Sequence, residues 1–565
     1  MSTKRIFLPQ TFEITFESIE PFYNQLLERP INSVDELEEW LRNRSELEAA
    51  LEEDFAWRYI KMTCDTTDEK LLADFQYFAT EIEPKIAPLT NELNKKFIES
   101  PFVKELDPDK YFILIRGIKK QLELFREENI PLLSQLQIEQ QKFGGISGAM
   151  SVTINDQEYT LEQASNFLKD TDREIRKQAY DKISARRLQD KDQLNELYTT
   201  LLGLRQQVAL NAGFENYRDY AFAALGRFDY TAEDCFAFHE AIEKEVVPLL
   251  KEQSEKRKAA LQLTELKPWD TDVDVSGKPM LKPFNNGQEL VDKSIICFDK
   301  LHPYLGECLS TMKTKGFFDV ESRKGKAPGG YNYPLAETGM PFIFMNSANS
   351  MRDLSTMVHE GGHAVHTFIS SDLELNDFKH LTSEIAELAS MSMELISMDH
   401  WNEFFDNEED LIRAKKDQLK DVLKTLPWVA VIDAFQHWIY THPGHSLDER
   451  KQAWLSIYER FGAGFVDWTG YEETKTNLWQ KQLHLFEVPF YYIEYAIAQL
   501  GAVAVWRNYK QNPEKGLEDY LSALKLGYTK TIGEIYKTAG IEFNFSKEYV
   551  HELMQFVKSE LEKLG

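Results

Sequence analysis

The chain has 565 residues, 42% hydrophobic and 28% charged, the balance of a folded globular protein and unlike that of a disordered, collagenous or membrane chain. Its 93 acidic residues against 65 basic ones give a formal net charge of -28, which repels polyanions and makes nucleic acid and anionic membranes poor partners. Four scattered cysteines, Cys64, Cys235, Cys297 and Cys308, form no CxxC pair; this argues against a cysteine zinc site or a disulfide scaffold and fits a reducing, cytoplasmic compartment.

At this length two or more subdomains around a cleft are expected rather than one core. Residues 1–19 are charged and polar throughout, without the apolar centre of a secretory signal, so export is not expected. Residues 34–51 and 71–97 carry apolar side chains three or four apart among Glu, Lys, Gln and Leu, the pattern of amphipathic helix. Residues 150–154 and 158–161 flank Asn155 and Asp156, which predicts a short hairpin. The one boundary drawn, near residue 170, separates an N-terminal helical region (1–170) from a catalytic region (171–565). Residues 266–284, rich in Pro, Gly and Asp, read as an extended surface connection of the kind that often lines a cleft. A further strand is predicted at 341–346. The apolar runs 428–435 and 496–506 fall short of the roughly 20 residues that span a bilayer.

The segment MVHEGGHAVHTF holds His359, Glu360 and His363 in an HExxH pattern. Two histidines four apart on a helix project from one face, a single turn apart, where one zinc ion can accept both. Glu360 then stands beside the metal, able to take a proton from a water whose pKa the metal lowers. Ser350 and Asp353 form an S-x-x-D start signal for this helix. Gly361 and Gly362 are unusual inside it, since each costs about 1 kcal/mol relative to Ala, and they point to a close approach by a neighbouring backbone or by substrate.

A catalytic zinc needs a third protein ligand and one open position. His366 shares the helix face but lies roughly 10 Å along the axis from His359, so it reads as a packing or supporting residue. The segment SEIAELASMSMELISMDHW offers Glu384, Glu387 and Glu394 opposite a buried face of Ile385, Leu388, Ser392 and Leu395. Spacing alone does not choose among the three glutamates. His437, His442 and His445 cluster loosely around Pro443 and Gly444 and read as surface imidazoles on a loop rather than as a second metal site. His400, next to Asp399, reads as a helix-end residue.

HEGGHAVH resembles the HExGHxxH of the oligoendopeptidase F group, in the wider family of thimet oligopeptidase and neurolysin. The likeness runs over residues 150–510, through DREIRKQAY, NAGFENYRDYAFAALGRFDYT, LKPWD and GKAPGGYNYPLAETGMPFIFMN; the first 130 residues match less distinctively. The resemblance implies a mainly α, neurolysin-like two-lobed helical fold, with a deep substrate channel and a small β-sheet beside the HExxH helix. It also implies Glu387, followed by Ser390 in an E-x-x-S segment, as the third ligand of one zinc ion per chain. The family's strand before the zinc helix runs beside the peptide, which implies Phe342 and Phe344, with Gly329 and Gly330 nearby, as substrate contacts along an edge strand.

The segment HLFEVPFYYIEYAIAQLG resembles the family stretch whose histidine and tyrosines stabilise the transition state, and His484 and Tyr495 carry over most directly. The glycine-rich loop of the thimet pattern is replaced by residues 485–490, including Pro489. Tyr491 and Tyr492 therefore compete for the second tyrosine's place, with Tyr492, three residues before Tyr495, favoured. The expected reaction is hydrolysis of internal peptide bonds in short unfolded peptides, with Glu360 activating the zinc-bound water and no obligatory protein partner. A zinc-containing peptide-binding protein without catalysis and a zinc carboxypeptidase are the rival readings.

Overall fold

The computed structural model describes residues 5–11, 13–462 and 464–565. Helix follows from the apolar spacing over most of this length. In Val34–Cys64, Leu37, Trp40, Leu41, Leu47 and Leu51 fall on a buried side, and Ser33 Oγ caps the first turn by accepting from Glu36 N–H at 3.2 Å. The fold is mainly α and two-lobed. One apolar core is built from residues between Leu8 and Ile118, joined by Leu375 and Phe378, and a much larger one from residues between Ala56 and Val557. No helix among the described residues is long and apolar enough to cross a membrane.

Strands β1 (Ser151–Ile154) and β2 (Gln157–Thr160) form an antiparallel hairpin. Its turn residues Asn155 and Asp156 sit at φ 50° and 62°, the left-handed pair that a two-residue hairpin requires. Strands β3 (Phe318–Glu321), β4 (Tyr331–Leu335) and β5 (Met340–Ser347) form a second sheet in the order β3-β5-β4. β5 pairs parallel with β3 and antiparallel with β4. The expectation of an edge strand at Phe342 and Phe344 is thus corrected: β5 is the central strand, its backbone occupied on both sides, and its near-continuous apolar sequence is that of a strand buried on both faces. The outer positions belong to β3 and β4.

Residues 266–284 line no part of the main cavity. Asp270, fully buried, accepts from Arg173 (3.0 and 2.7 Å), Arg176 (2.9 Å) and the Lys267 N–H (3.0 Å). These bonds clamp the segment against helix Arg173–Gln189. The main cavity, about 1320 Å³, runs between Phe55, Tyr59 and Gln137 on one side and β4, the HExxH helix and Tyr495 on the other.

Candidate active site

The HExxH motif lies in helix Met351–Ser370. Its start is fixed by Asp353, whose carboxylate accepts from the N–H of Ser350 (2.7 Å) and Ala348 (3.0 Å) and from Ser350 Oγ (2.8 Å). The two interior glycines are packing residues. A Cβ on Gly362 would lie 2.7 Å from Ser390 Cα and 2.8 Å from Ala389 O, and one on Gly361 would lie 2.6 Å from Phe298 Cζ. Gly362 therefore lets helix Ser383–Ile396 approach at backbone distance, and this approach carries Glu387 to the histidines.

The Nε2 atoms of His359 and His363 lie 3.2 and 3.6 Å from Glu387 Oε2, and one donor atom from each of the three residues falls within 4.8 Å of the others. Of the three glutamates that spacing left open, Glu387 meets both imidazoles. Glu394 instead contacts the far nitrogen of His359, Nδ1, at 2.7 Å. Gln418 Nε2 donates to Glu394 Oε2 (2.6 Å), and Ser355 Oγ donates to Gln418 Oε1 (2.6 Å). A carboxylate on the outer nitrogen is the usual means of fixing a metal-ligating histidine's tautomer and orientation. Glu384 is buried elsewhere, and His366, also buried, stands outside the trio.

Burial pushes the His363 imidazole down to about 4, which leaves it neutral. Burial alone would raise the Glu387 carboxyl, but His363 and His359 hold it at about 2. Burial opposes a proton on His359, yet hydrogen bonds to Glu387 and Glu394 hold its pKa well above the ordinary value. Two imidazole nitrogens with one carboxylate oxygen are the donors that zinc accepts in open, catalytic sites. The residues fit the ion.

Glu360 is buried, its Oε2 has no hydrogen-bond partner, and burial pushes its carboxyl up to about 7. A carboxyl near that value can both accept and return a proton at neutral pH. A Cβ on Gly330 would stand 3.6 Å from Glu360 Oε1 and 3.2 Å from Thr356 Cγ2, so the chain beside Glu360 is bare backbone. Gly329, at φ 94°, turns that backbone along the cavity wall. Gly329, Gly330 and β4 residues Tyr331 to Pro334 line the cavity. Phe342 and Phe344 do not: Phe342 packs on Trp57, and Phe344 stacks on Tyr331 at 4.6 Å.

Across the cavity, the His484 imidazole is pushed down to about 4 by burial and is neutral. Trp428 Nε1–H donates to Gln482 Oε1 (3.1 Å), which turns the Gln482 amide NH2 toward His484 Nδ1 at 2.7 Å. Nδ1 is then the acceptor and Nε2 carries the proton. Nε2–H therefore donates to the Tyr495 hydroxyl oxygen at 3.1 Å, which leaves the Tyr495 O–H as the proton to offer.

Tyr491 donates its hydroxyl to Glu387 Oε1 at 2.5 Å. Tyr492 packs its ring edge-on against His484 and Tyr495, at 4.9 and 5.3 Å. Of the two competing tyrosines, Tyr491 is the one that hydrogen-bonds Glu387, while Tyr492 lies against His484 and Tyr495; Phe490, at φ 66°, sets the turn just before them. Sequence reasoning also passed over Gln418, Gln482 and Trp428. His442 is exposed and His445 half-buried, whereas His437 is buried within helix Glu408–Thr441, so the three do not form one cluster.

Residues 166–555 match peptidase family M3, and residues 10–125 match the peptidase M3 N-terminal domain. Oligopeptidase PepF of Bacillus subtilis is 24% identical over 419 residues, covering 73% of this chain and 60% of PepF. The plasmid-encoded oligoendopeptidase F of Lactococcus lactis subsp. cremoris is 25% identical over 424 residues, covering 71% of this chain and 66% of that one. A solved structure of Pz peptidase A with inhibitor 2 superimposes with a TM-score of 0.93 at 26% identity, over 98% of both chains. The chain belongs to peptidase family M3. Within that family it falls in the oligoendopeptidase F group.

Proposed function

We propose that the chain is a zinc-dependent endopeptidase that hydrolyses internal bonds of short, unfolded oligopeptides, with one catalytic zinc held by His359, His363 and Glu387. The observation that carries this reading is the convergence of both Nε2 atoms on Glu387 Oε2, beside the buried carboxyl of Glu360, whose Oε2 has no hydrogen-bond partner. When bound, zinc supplies Lewis acidity to the scissile carbonyl and makes hydroxide available near neutral pH. Glu360 takes the proton from the attacking water and returns it to the leaving amide nitrogen. Tyr495 O–H, polarised by the His484 Nε2–H that donates to its oxygen, donates to the oxyanion that develops on the carbonyl. Tyr491 holds Glu387 in position, and Tyr492 braces the His484 and Tyr495 rings.

The substrate backbone runs along Gly329, Gly330 and the outer edge of β4, where main-chain pairing binds peptides of varied sequence. A cavity of about 1320 Å³ exceeds the roughly 300–1,000 Å³ of small-molecule sites, which favours extended peptides of several residues. The region 171–565 supplies the chemistry, and the region 1–170 supplies a wall of the channel. The four cysteines are free thiols, in keeping with a cytoplasmic setting.

Arg187, Arg352 and Lys481 stand together on the cavity wall, and this favours, as the second reading, capture of a peptide's terminal carboxylate and carboxypeptidase cleavage. Digestion of peptides of graded length, read by mass spectrometry, separates the two. Internal cleavage throughout the series is expected. Stepwise release of C-terminal residues alone would replace the endopeptidase reading with the carboxypeptidase one, and hydrolysis that persists in metal-free protein would refute both.

A further inference from the structure

A second set of metal-binding side chains lies apart from the residues described above. Helix Ala232–Glu245 carries Cys235 and His239 one turn apart, and helix Glu408–Thr441, packed against it, carries Asp433 and His437 one turn apart. Each pair therefore leaves its helix from a single face. Cys235 Sγ, a carboxylate oxygen of Asp433 and a ring nitrogen of His437 fall within 4.8 Å of one another. His239 Nε2 meets Asp433 Oδ2 at 2.8 Å. None of the four residues is more than 4% exposed.

The internal hydrogen bonding of this cluster is incomplete. Asp433 Oδ1 and both ring nitrogens of His437 have no hydrogen-bond partner, although His437 Nε2 lies 3.3 Å from Asp433 Oδ2. The rings of Phe222, Phe236 and Phe490 pack around His437 at 5.8, 4.7 and 5.4 Å. Buried polar groups are almost always paired, and an unpaired histidine beside an unpaired carboxylate oxygen marks a missing partner that both can hold. Both atom types accept a cation, and the thiol beside them adds a soft donor.

We propose that Cys235, Asp433 and His437 bind a zinc ion that joins the two helices, with His239 holding Asp433 in place through its hydrogen bond. One sulfur, one oxygen and one nitrogen suit zinc and ill suit calcium or magnesium, which prefer oxygen. In the metal-free protein, burial and the neighbouring Asp433 hold the Cys235 thiol well above its ordinary pKa. Zinc binding displaces the thiol proton to solvent, and the resulting thiolate and carboxylate balance the ion's two positive charges.

The site also connects to the proposed catalytic groups. Gln436, between Asp433 and His437 in the chain, accepts the Phe490 N–H through Oε1 at 2.6 Å, and Phe490 precedes Tyr491. Zinc at the second site thus fixes the turn that presents the tyrosines, without touching substrate.

The test is reconstitution of the full-length metal-free chain with cobalt(II), with metal content measured by mass spectrometry. Two ions per chain are expected, together with a near-ultraviolet thiolate-to-cobalt charge-transfer band, since His359, His363 and Glu387 offer no sulfur. Cys235→Ser should lose the band and one ion; Cys64→Ser should retain both. A wild-type chain that binds one ion and gives no thiolate band overturns the proposal, and this result does not require any variant to fold. Peptide hydrolysis is scored separately: activity without the band sinks the second site alone, and the band without activity sinks the endopeptidase reading alone.

Discussion

Replacing Gly362 with Ala should weaken zinc binding far more than it weakens the fold. The new methyl carbon would start 2.7 Å from Ser390 Cα and 2.8 Å from Ala389 O, and these are backbone atoms that cannot rotate away. To reach ordinary contact, near 3.4 Å, the two helices must separate by about 0.7 Å. Overpacking of that kind costs about 1–3 kcal/mol, and Ala in place of Gly returns about 1 kcal/mol of helix propensity, so the melting temperature should fall by only a few degrees. Glu387, three residues before Ser390 on the displaced helix, moves with it. A ligand shift of that size should cost at least the 10–100-fold typical of losing a residue that orients a ligand. Titrating peptide hydrolysis against buffered free zinc measures the loss, and excess zinc should restore much of the rate. Gly361→Ala is the control, because its methyl meets the Phe298 ring, at 2.6 Å, and leaves the Glu387 helix in place. Wild-type zinc affinity in Gly362→Ala would refute the claim that this glycine sets the third ligand's position.

Glu394→Gln removes the charge from the partner of His359 Nδ1 and should weaken zinc affinity about 10–100-fold, readable in the same titration. Tyr495→Phe should lower kcat about 100- to 1,000-fold as one oxyanion donor is lost, with bound zinc unchanged; Tyr492→Phe, which keeps the ring, should change kcat little. Asp270→Asn should destabilise the fold by about 3–5 kcal/mol, since Arg176 is left buried without its partner, as denaturant unfolding will measure. Burial would raise the Asp270 carboxyl, but Arg173 and Arg176 hold it below its usual value. That folded-state depression means its stabilisation is complete above the unfolded pKa of about 3.9 and is lost as pH falls through the lower folded value. The acid limb of the stability curve should therefore flatten in the variant.

The HExxH helix was legible because its periodicity and its S-x-x-D start both act within a few residues. The hairpin at Asn155 and Asp156 was legible for the same reason: its turn chemistry is local. Glu387 could be singled out only by resemblance, because what distinguishes it from Glu384 and Glu394 is the close approach at Gly362, a tertiary fact. Glycines inside the motif announced that something approaches, without saying what. The central position of β5 was hidden because its partner β3 precedes it by about 20 residues, and a short apolar run reads alike at the edge or the centre of a sheet. His437 was grouped with His442 and His445 by proximity in sequence, whereas its neighbours Cys235 and His239 lie on a helix some 200 residues earlier. The chain Trp428–Gln482–His484 was invisible for the same reason: uncharged hydrogen-bonding side chains give no pattern until the fold assembles them.

The central claim is that Glu360 moves the proton at a metal held by other residues. Glu360→Gln keeps the side chain's shape and removes its basicity, so zinc content by mass spectrometry should equal that of the wild-type chain while peptide turnover falls at least about 100-fold. Turnover near the wild-type rate in the zinc-loaded variant would contradict the account.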